Sequence, residues 1–93
     1  MTIPAVTDLS RLALYMRPSC PFYVRVTDYC REAGLLLETR NIAQGEHLEA
    51  LMVGGGKRQV PCLRIQDDAG RSHWLYESLD IIAYLQQQFP LAT

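Results

Sequence analysis

The feature that most restricts the fold is a junction. The apolar run Leu12-Ala13-Leu14-Tyr15-Met16 is followed by Arg17-Pro18-Ser19, and then by Cys20-Pro21 opening a stretch of helical periodicity. Phe22, Val26, Tyr29, Cys30 and Ala33 fall at i, i+4, i+7, i+8 and i+11, which is one face of a helix. The run before them reads as a buried strand. A cysteine at such a strand-to-helix handover meets unpaired N–H groups and the positive end of the helix dipole. Both favour thiolate, the reactive form of the side chain. Proline next to it fits the first helical position, where its missing N–H costs nothing. The fourth residue of the stretch is Tyr23, where a dithiol redox motif would carry a second cysteine.

The remaining periodicities fill in the architecture. Gly34 reads as a helix C-cap and Leu35–Ile42 as a second strand, giving a right-handed βαβ unit. Glu46–Val53 reads as a short helix with Leu48, Leu51 and Met52 inward, ended by Gly54-Gly55-Gly56. Gln59–Ile65 is a third strand. Asp67-Asp68-Ala69-Gly70 is its turn, and His73-Trp74-Leu75-Tyr76 the returning strand of a hairpin. Ser78 is placed to cap a last helix with Asp80 in its first turn. Leu79, Ile82, Ala83, Leu85 and Phe89 should bury that helix, and Pro90 should stop it. Residues 1–10 read as a loose lead-in. The expected order is β-α-β-α-β-β-α: an α/β fold with a four-stranded mixed sheet and three helices.

Composition narrows the function classes. Ninety-three residues suit one small domain, 1–93, and 48% hydrophobic content is enough for a packed core. A net charge of −1 gives no reason to expect nucleic acid or an anionic membrane surface as partner. No apolar run approaches the ~20 residues of a membrane span, and the N-terminus lacks the pattern of a signal peptide. Three cysteines, an odd number, fit a disulfide scaffold poorly and suit the reducing cytoplasm. Cys30 lies ten residues beyond Cys20 on the same helix, about 15 Å along its axis, too far for a disulfide. Cys30 and Cys62 are expected to be small buried apolar residues. His47 and His73 share no ligand spacing with any cysteine, so no metal is expected.

Three separated stretches carry a family resemblance across about residues 12–89. They are Arg17-Pro18-Ser19-Cys20-Pro21-Phe22-Tyr23, Arg58-Gln59-Val60-Pro61, and Tyr76-Glu77-Ser78-Leu79-Asp80-Ile81-Ile82. In this order the chain resembles the thioredoxin fold, more narrowly a glutaredoxin, with features of the N-terminal domain of glutathione transferases. The resemblance implies a cis Val60–Pro61 bond whose bend sets the Val60 backbone against the cysteinyl residue of glutathione. It implies that the amides at Glu77-Ser78 hold the γ-glutamyl carboxylate and that Glu77 or Asp80 meets its ammonium. Arg17 stands where glutaredoxins commonly carry lysine. It is a candidate for the glycyl carboxylate and for stabilising the thiolate, as are Lys57, Arg58 and Gln59 for the carboxylate. Tyr23 is a candidate to contact the sulfur or glutathione, or to lid the site.

The expected activity is that of a monothiol, glutathione-dependent oxidoreductase. Cys20 would act on glutathionylated proteins or small mixed disulfides, with glutathione as co-substrate. Two alternatives follow from the same resemblance. One is a carrier of a [2Fe–2S] cluster ligated by Cys20 and glutathione, although Pro21 and Tyr23 depart from that subgroup's glycine and serine. The other is a binding module without turnover. A complete transferase site is not expected from a sequence in which no helical C-terminal domain is seen.

Overall fold

A computed structural model of the chain describes Val6, residues 8–19 and residues 21–89. Cys20 and Pro90 lie outside the described residues. The elements are a short 3-10 helix Leu9–Arg11, β1 Leu12–Met16, α1 Tyr23–Ala33, β2 Glu38–Asn41, α2 Gly45–Gly55, β3 Cys62–Gln66, β4 Ser72–Tyr76 and α3 Ser78–Gln88. The four strands form one sheet in the order β2-β1-β3-β4. β1 runs parallel to β2 and antiparallel to β3, and β3 pairs antiparallel with β4. This is the thioredoxin-like α/β architecture, in the expected order.

Burial explains why β1 reads as a continuous apolar run. All five of its residues are buried, because helices cover both faces of the sheet. Leu12 and Leu14 point with Leu63 and Ile65 into a core closed by Val26, Tyr29 and Cys30 of α1 and Ile81, Tyr84 and Leu85 of α3. Ala13, Tyr15 and Cys62 point the other way, toward Leu51 of α2. The register sets Arg40, Tyr15, Cys62 and Tyr76 in one row across the sheet. In that row the Arg40 Nη1 donates to the Tyr15 hydroxyl at 2.8 Å. α1 ends at Gly34, whose φ of 72° is the left-handed conformation that caps a helix, and the Leu35 N–H returns to the Cys30 carbonyl at 2.8 Å.

Several local expectations are corrected. α1 opens at Tyr23, after a turn at Pro21-Phe22, so Pro21 is not its first residue. Phe22, assigned to the core face, sits at the N-cap and is 57% exposed. β2 is four residues long, and Leu35–Leu37 forms its approach, with Leu36 exposed. β3 starts at Cys62, after the Val60–Pro61 bend. On α2, Met52 faces solvent. Gly54 and Gly55 belong to that helix, because its turn there packs on Trp74 and Tyr76 with no room for a Cβ at either position. On α3, Leu79 and Ala83 are exposed, and the buried stripe is Ile81, Tyr84 and Leu85. The N-cap is Glu77 and not Ser78, which is the first helical residue. The lead-in is less loose than expected: Val6 is buried against the α1/α3 core, and Asp8 caps the 3-10 helix through the Ser10 N–H at 3.0 Å. Among the described residues, no helix is long and apolar enough to cross a membrane.

Candidate functional site

Antiparallel pairing brings three chain junctions to the same end of the sheet. The end of β1, the start of β3 and the end of β4 meet there, at Met16, Cys62 and Tyr76. Each is followed or preceded by one of the three sequence stretches singled out above. The loop after β1 carries Arg17, the loop before β3 carries Arg58 to Pro61, and the β4–α3 junction carries Glu77 and Ser78.

These junctions enclose a groove made of three adjoining hollows. The middle one, about 250 Å³, is lined by Phe22, Gln59, Val60, Pro61, Glu77 and Ser78. One neighbour, about 260 Å³, shares Gln59 and Val60 and adds Arg17, Ile42 and Arg58. The other, about 410 Å³, shares Phe22, Glu77 and Ser78 and adds Arg25, Leu79 and Asp80. The charges are divided along its length. Two guanidiniums, Arg17 and Arg58, line one end, while both lining carboxylates, Glu77 and Asp80, stand at the other beside Arg25. A larger, more open hollow of about 510 Å³ lies elsewhere, between α1 and the approach to β2. Leu35, Leu36 and Leu37 line it together with Thr27, Cys30, Arg31 and Glu38, and it shares no residue with the groove.

The groove walls are fixed by local geometry. The Val60–Pro61 peptide bond is cis. Glu77 has φ 74° and ψ 122°, a conformation rarely held by a residue with a side chain. Its side chain accepts a hydrogen bond from Gln59 Nε2 at 2.8 Å. The first N–H groups of α3 follow directly, and such groups with the helix dipole suit an anion. Arg17 Nε donates to the Ser19 hydroxyl at 2.9 Å. Of the candidate residues, Arg17, Gln59, Val60, Pro61, Glu77, Ser78 and Asp80 thus line one groove. Tyr23, the first residue of α1, is half-buried and packs on the α1/α3 core.

The two described cysteines are inert by environment. Burial pushes the Cys62 thiol up to about 12 and raises that of Cys30. Both remain protonated in neutral solution, as free buried thiols. Among the described residues, no three His, Cys, Asp or Glu side chains converge as metal ligands.

Four residues of the groove, Phe22, Arg25, Ile42 and Leu79, escaped the sequence reading as site residues, Ile42 having been read only as the end of the second strand. Phe22 was assigned to the core because it fits the helical phase, yet it precedes the first turn. Leu79 was misassigned for a related reason, one position off the buried stripe of α3. Arg25 gave no signal, since a basic residue on an exposed helix face is ordinary.

A family model for the glutathione S-transferase N-terminal domain matches residues 14–93. No curated protein matches. Among solved structures, maleylacetoacetate isomerase from Anaeromyxobacter dehalogenans 2CP-1, with bound GSH in its active site, is similar at 30% identity and TM-score 0.63. The likeness covers 85% of this chain and 38% of that one. Rice GST1, in complex with glutathione, is similar at 31% identity and TM-score 0.67, over 86% of this chain and 33% of that one. Glutathione transferase Omega 3C from Trametes versicolor, at 23% identity and TM-score 0.71, shares the fold over 89% of this chain and 35% of that one. The chain therefore spans only about a third of the length of these structures.

Proposed function

The chain belongs to the glutathione S-transferase N-terminal domain family, and on that premise we propose that its groove binds glutathione and that Cys20 performs thiol–disulfide exchange with it. The observation that carries this reading is the division of charge along the groove. Glutathione has an ammonium and a carboxylate at its γ-glutamyl end and a second carboxylate at its glycyl end. Glu77 and Asp80 suit the ammonium, the first amides of α3 and the Ser78 hydroxyl suit the adjacent carboxylate, and Arg17 and Arg58 suit the glycyl carboxylate. The Val60 backbone offers peptide hydrogen bonds to the cysteinyl residue between them. That two similar structures hold glutathione supports the same ligand.

The chemistry follows from the position of Cys20 in the sequence, three residues after Arg17 and two before Phe22. The Cys20 thiolate attacks the glutathionyl sulfur of a mixed disulfide. A new sulfur–sulfur bond forms, the old one breaks, and the substrate thiolate leaves and takes a proton from solvent. A second glutathione thiolate then attacks the glutathionyl sulfur on Cys20, releasing oxidised glutathione and restoring the Cys20 thiolate. In the net exchange one free glutathione thiol is consumed: the mixed disulfide becomes the free substrate thiol, and its glutathionyl group leaves joined to the incoming glutathione as oxidised glutathione. A nucleophilic thiolate and a good leaving thiol are the requirements. With Tyr23 in place of a resolving cysteine, the cycle passes through the glutathione adduct. Its substrates are glutathionylated proteins or small mixed disulfides.

Treatment with oxidised glutathione followed by peptide mass spectrometry tests this. One glutathione adduct, on Cys20, is expected, with loss of mixed-disulfide reduction in Cys20→Ser. Unchanged activity in Cys20→Ser overturns the redox assignment.

A second reading is favoured by the family and by the longer chains it matches: the groove serves as the glutathione-binding part of a transferase- or isomerase-type enzyme. Glutathione binding without adduct formation, together with conjugation of an electrophile, would favour it over exchange.

A further inference from the structure

Given a groove that holds glutathione, we infer that Tyr76 is a positioning residue that latches the loop of residues 56–61 to the β4–α3 junction. Three contacts converge on it from the stem of that loop. Its hydroxyl donates to the Lys57 carbonyl at 3.1 Å. The Lys57 ammonium stands 5.5 Å from the centre of its ring. Gly55, the last residue of α2, lies so close that a Cβ there would collide with the Tyr76 hydroxyl oxygen. The tip of the same loop supplies Arg58, Gln59 and Val60 to the groove.

Tyr76 is also the residue before Glu77, and Gln59 donates to Glu77. The two groove walls are therefore joined twice, through Tyr76 to Lys57 at the stem and through Glu77 to Gln59 at the tip. Consecutive residues of one backbone make both ties, so the strained Glu77 and the loop are held in one frame. Tyr76 does not itself line the groove and acts through the groups it holds. Gly55 is required by this latch: the helix must end without a side chain for the hydroxyl to reach the carbonyl.

The test uses Tyr76→Phe, Gly55→Ala and the double variant. Readouts are amide hydrogen exchange, glutathione affinity by calorimetry and thermal melting. Tyr76→Phe keeps the ring and removes the tie. Exchange at residues 57–60 should speed up, and the glutathione Kd should rise, each by about threefold to tenfold, the worth of one net hydrogen bond. Exchange in β1 and α1 should stay unchanged. Gly55→Ala should act alike by displacing the hydroxyl, and should add less than about twofold in the Tyr76→Phe background, as residues sharing one contact are coupled. Wild-type exchange and affinity in Tyr76→Phe overturn the inference. So do effects spread evenly over β1 and α1, or single-variant effects that multiply. If the wild-type protein binds no glutathione, the functional reading falls, and the exchange profile of residues 57–60 still decides for or against the latch.

Discussion

Gln59 Nε2 donates to Glu77 Oε1 across 2.8 Å, and this one hydrogen bond spans eighteen residues of sequence to join the two walls of the groove. It also fixes the carboxylate proposed to meet an ammonium group. Glu77 holds that position with φ 74°, a backbone conformation that costs on the order of 1–3 kcal/mol for a residue with a Cβ. Strain at a residue lining the groove, with its side chain held by the opposite wall, is consistent with a site organised before its ligand arrives.

Two variants of Glu77 separate strain from binding. Glu77→Ala keeps the strain and removes the carboxylate. Glu77→Gly removes both. Glutathione affinity should fall about tenfold or more in each, as expected for loss of a charged hydrogen bond. Glu77→Gly should be more stable than Glu77→Ala by about 1 kcal/mol, since relief of strain exceeds the entropic cost of glycine. Calorimetric titration and urea unfolding of the pair check this. A Glu77→Ala variant as stable as Glu77→Gly would mean that the backbone there is unstrained.

Phe22 should behave as a groove residue. It is 57% exposed, so Phe22→Ala should change stability by no more than about 0.5 kcal/mol. Leu63→Ala, in the core, should cost about 2–5 kcal/mol. Phe22→Ala should nonetheless slow mixed-disulfide reduction. Chemical unfolding alongside a turnover assay measures both.

Cys62 gives the protein an alkaline limit. Burial lifts its folded pKa to about 12 from an ordinary value of 9.0. Between these values the unfolded chain gives up the proton while the folded one keeps it. The unfolded state then binds fewer protons, so stability falls as pH rises through that window. Cys62→Ala should flatten the decline, seen in melting temperatures from pH 8 to 11. On the folded wild type near neutral pH, an alkylating reagent should leave Cys30 and Cys62 unmodified and react at Cys20.

Asp67 sets the corresponding acid response at the far end of the sheet. Its carboxylate accepts from the His73 ring at 3.0 Å and from the N–H groups of Arg71 and Ala69, each at 2.9 Å. These bonds, that from His73 foremost, hold its pKa below the ordinary value of 3.8. Its stabilising effect is thus present above that value and lost as pH falls through the lower, folded one. Asp67→Asn should lower the melting temperature at neutral pH and converge with wild type in strong acid. Parallel curves across the acid range would exclude this role.

The fold was legible because its signals are redundant. β1 announces itself as an apolar run, Gly34 as a cap, and Asp67–Gly70 as a turn, and each agrees with its neighbours. The groove was legible as three short stretches, since residues near a backbone bend or a helix start have few substitutes. The tie from Gln59 to Glu77 was not, because a hydrogen bond between distant polar side chains leaves no periodic trace. Phe22 and Leu79 were misread because apolar spacing says which residues share a face and not where the first turn begins. Gly54 and Gly55 looked like a helix terminator. Their helical state depends on the flat aromatic surface of Trp74 and Tyr76, which no local pattern encodes.

The hairpin between β3 and β4 points away from everything proposed to touch a ligand. Five-residue strands set its tip about 17 Å from the groove end of the sheet. Ala69 and Gly70 there are exposed. A fluorophore, an epitope or a tether to a surface spliced between them would report on the working end without standing in its way.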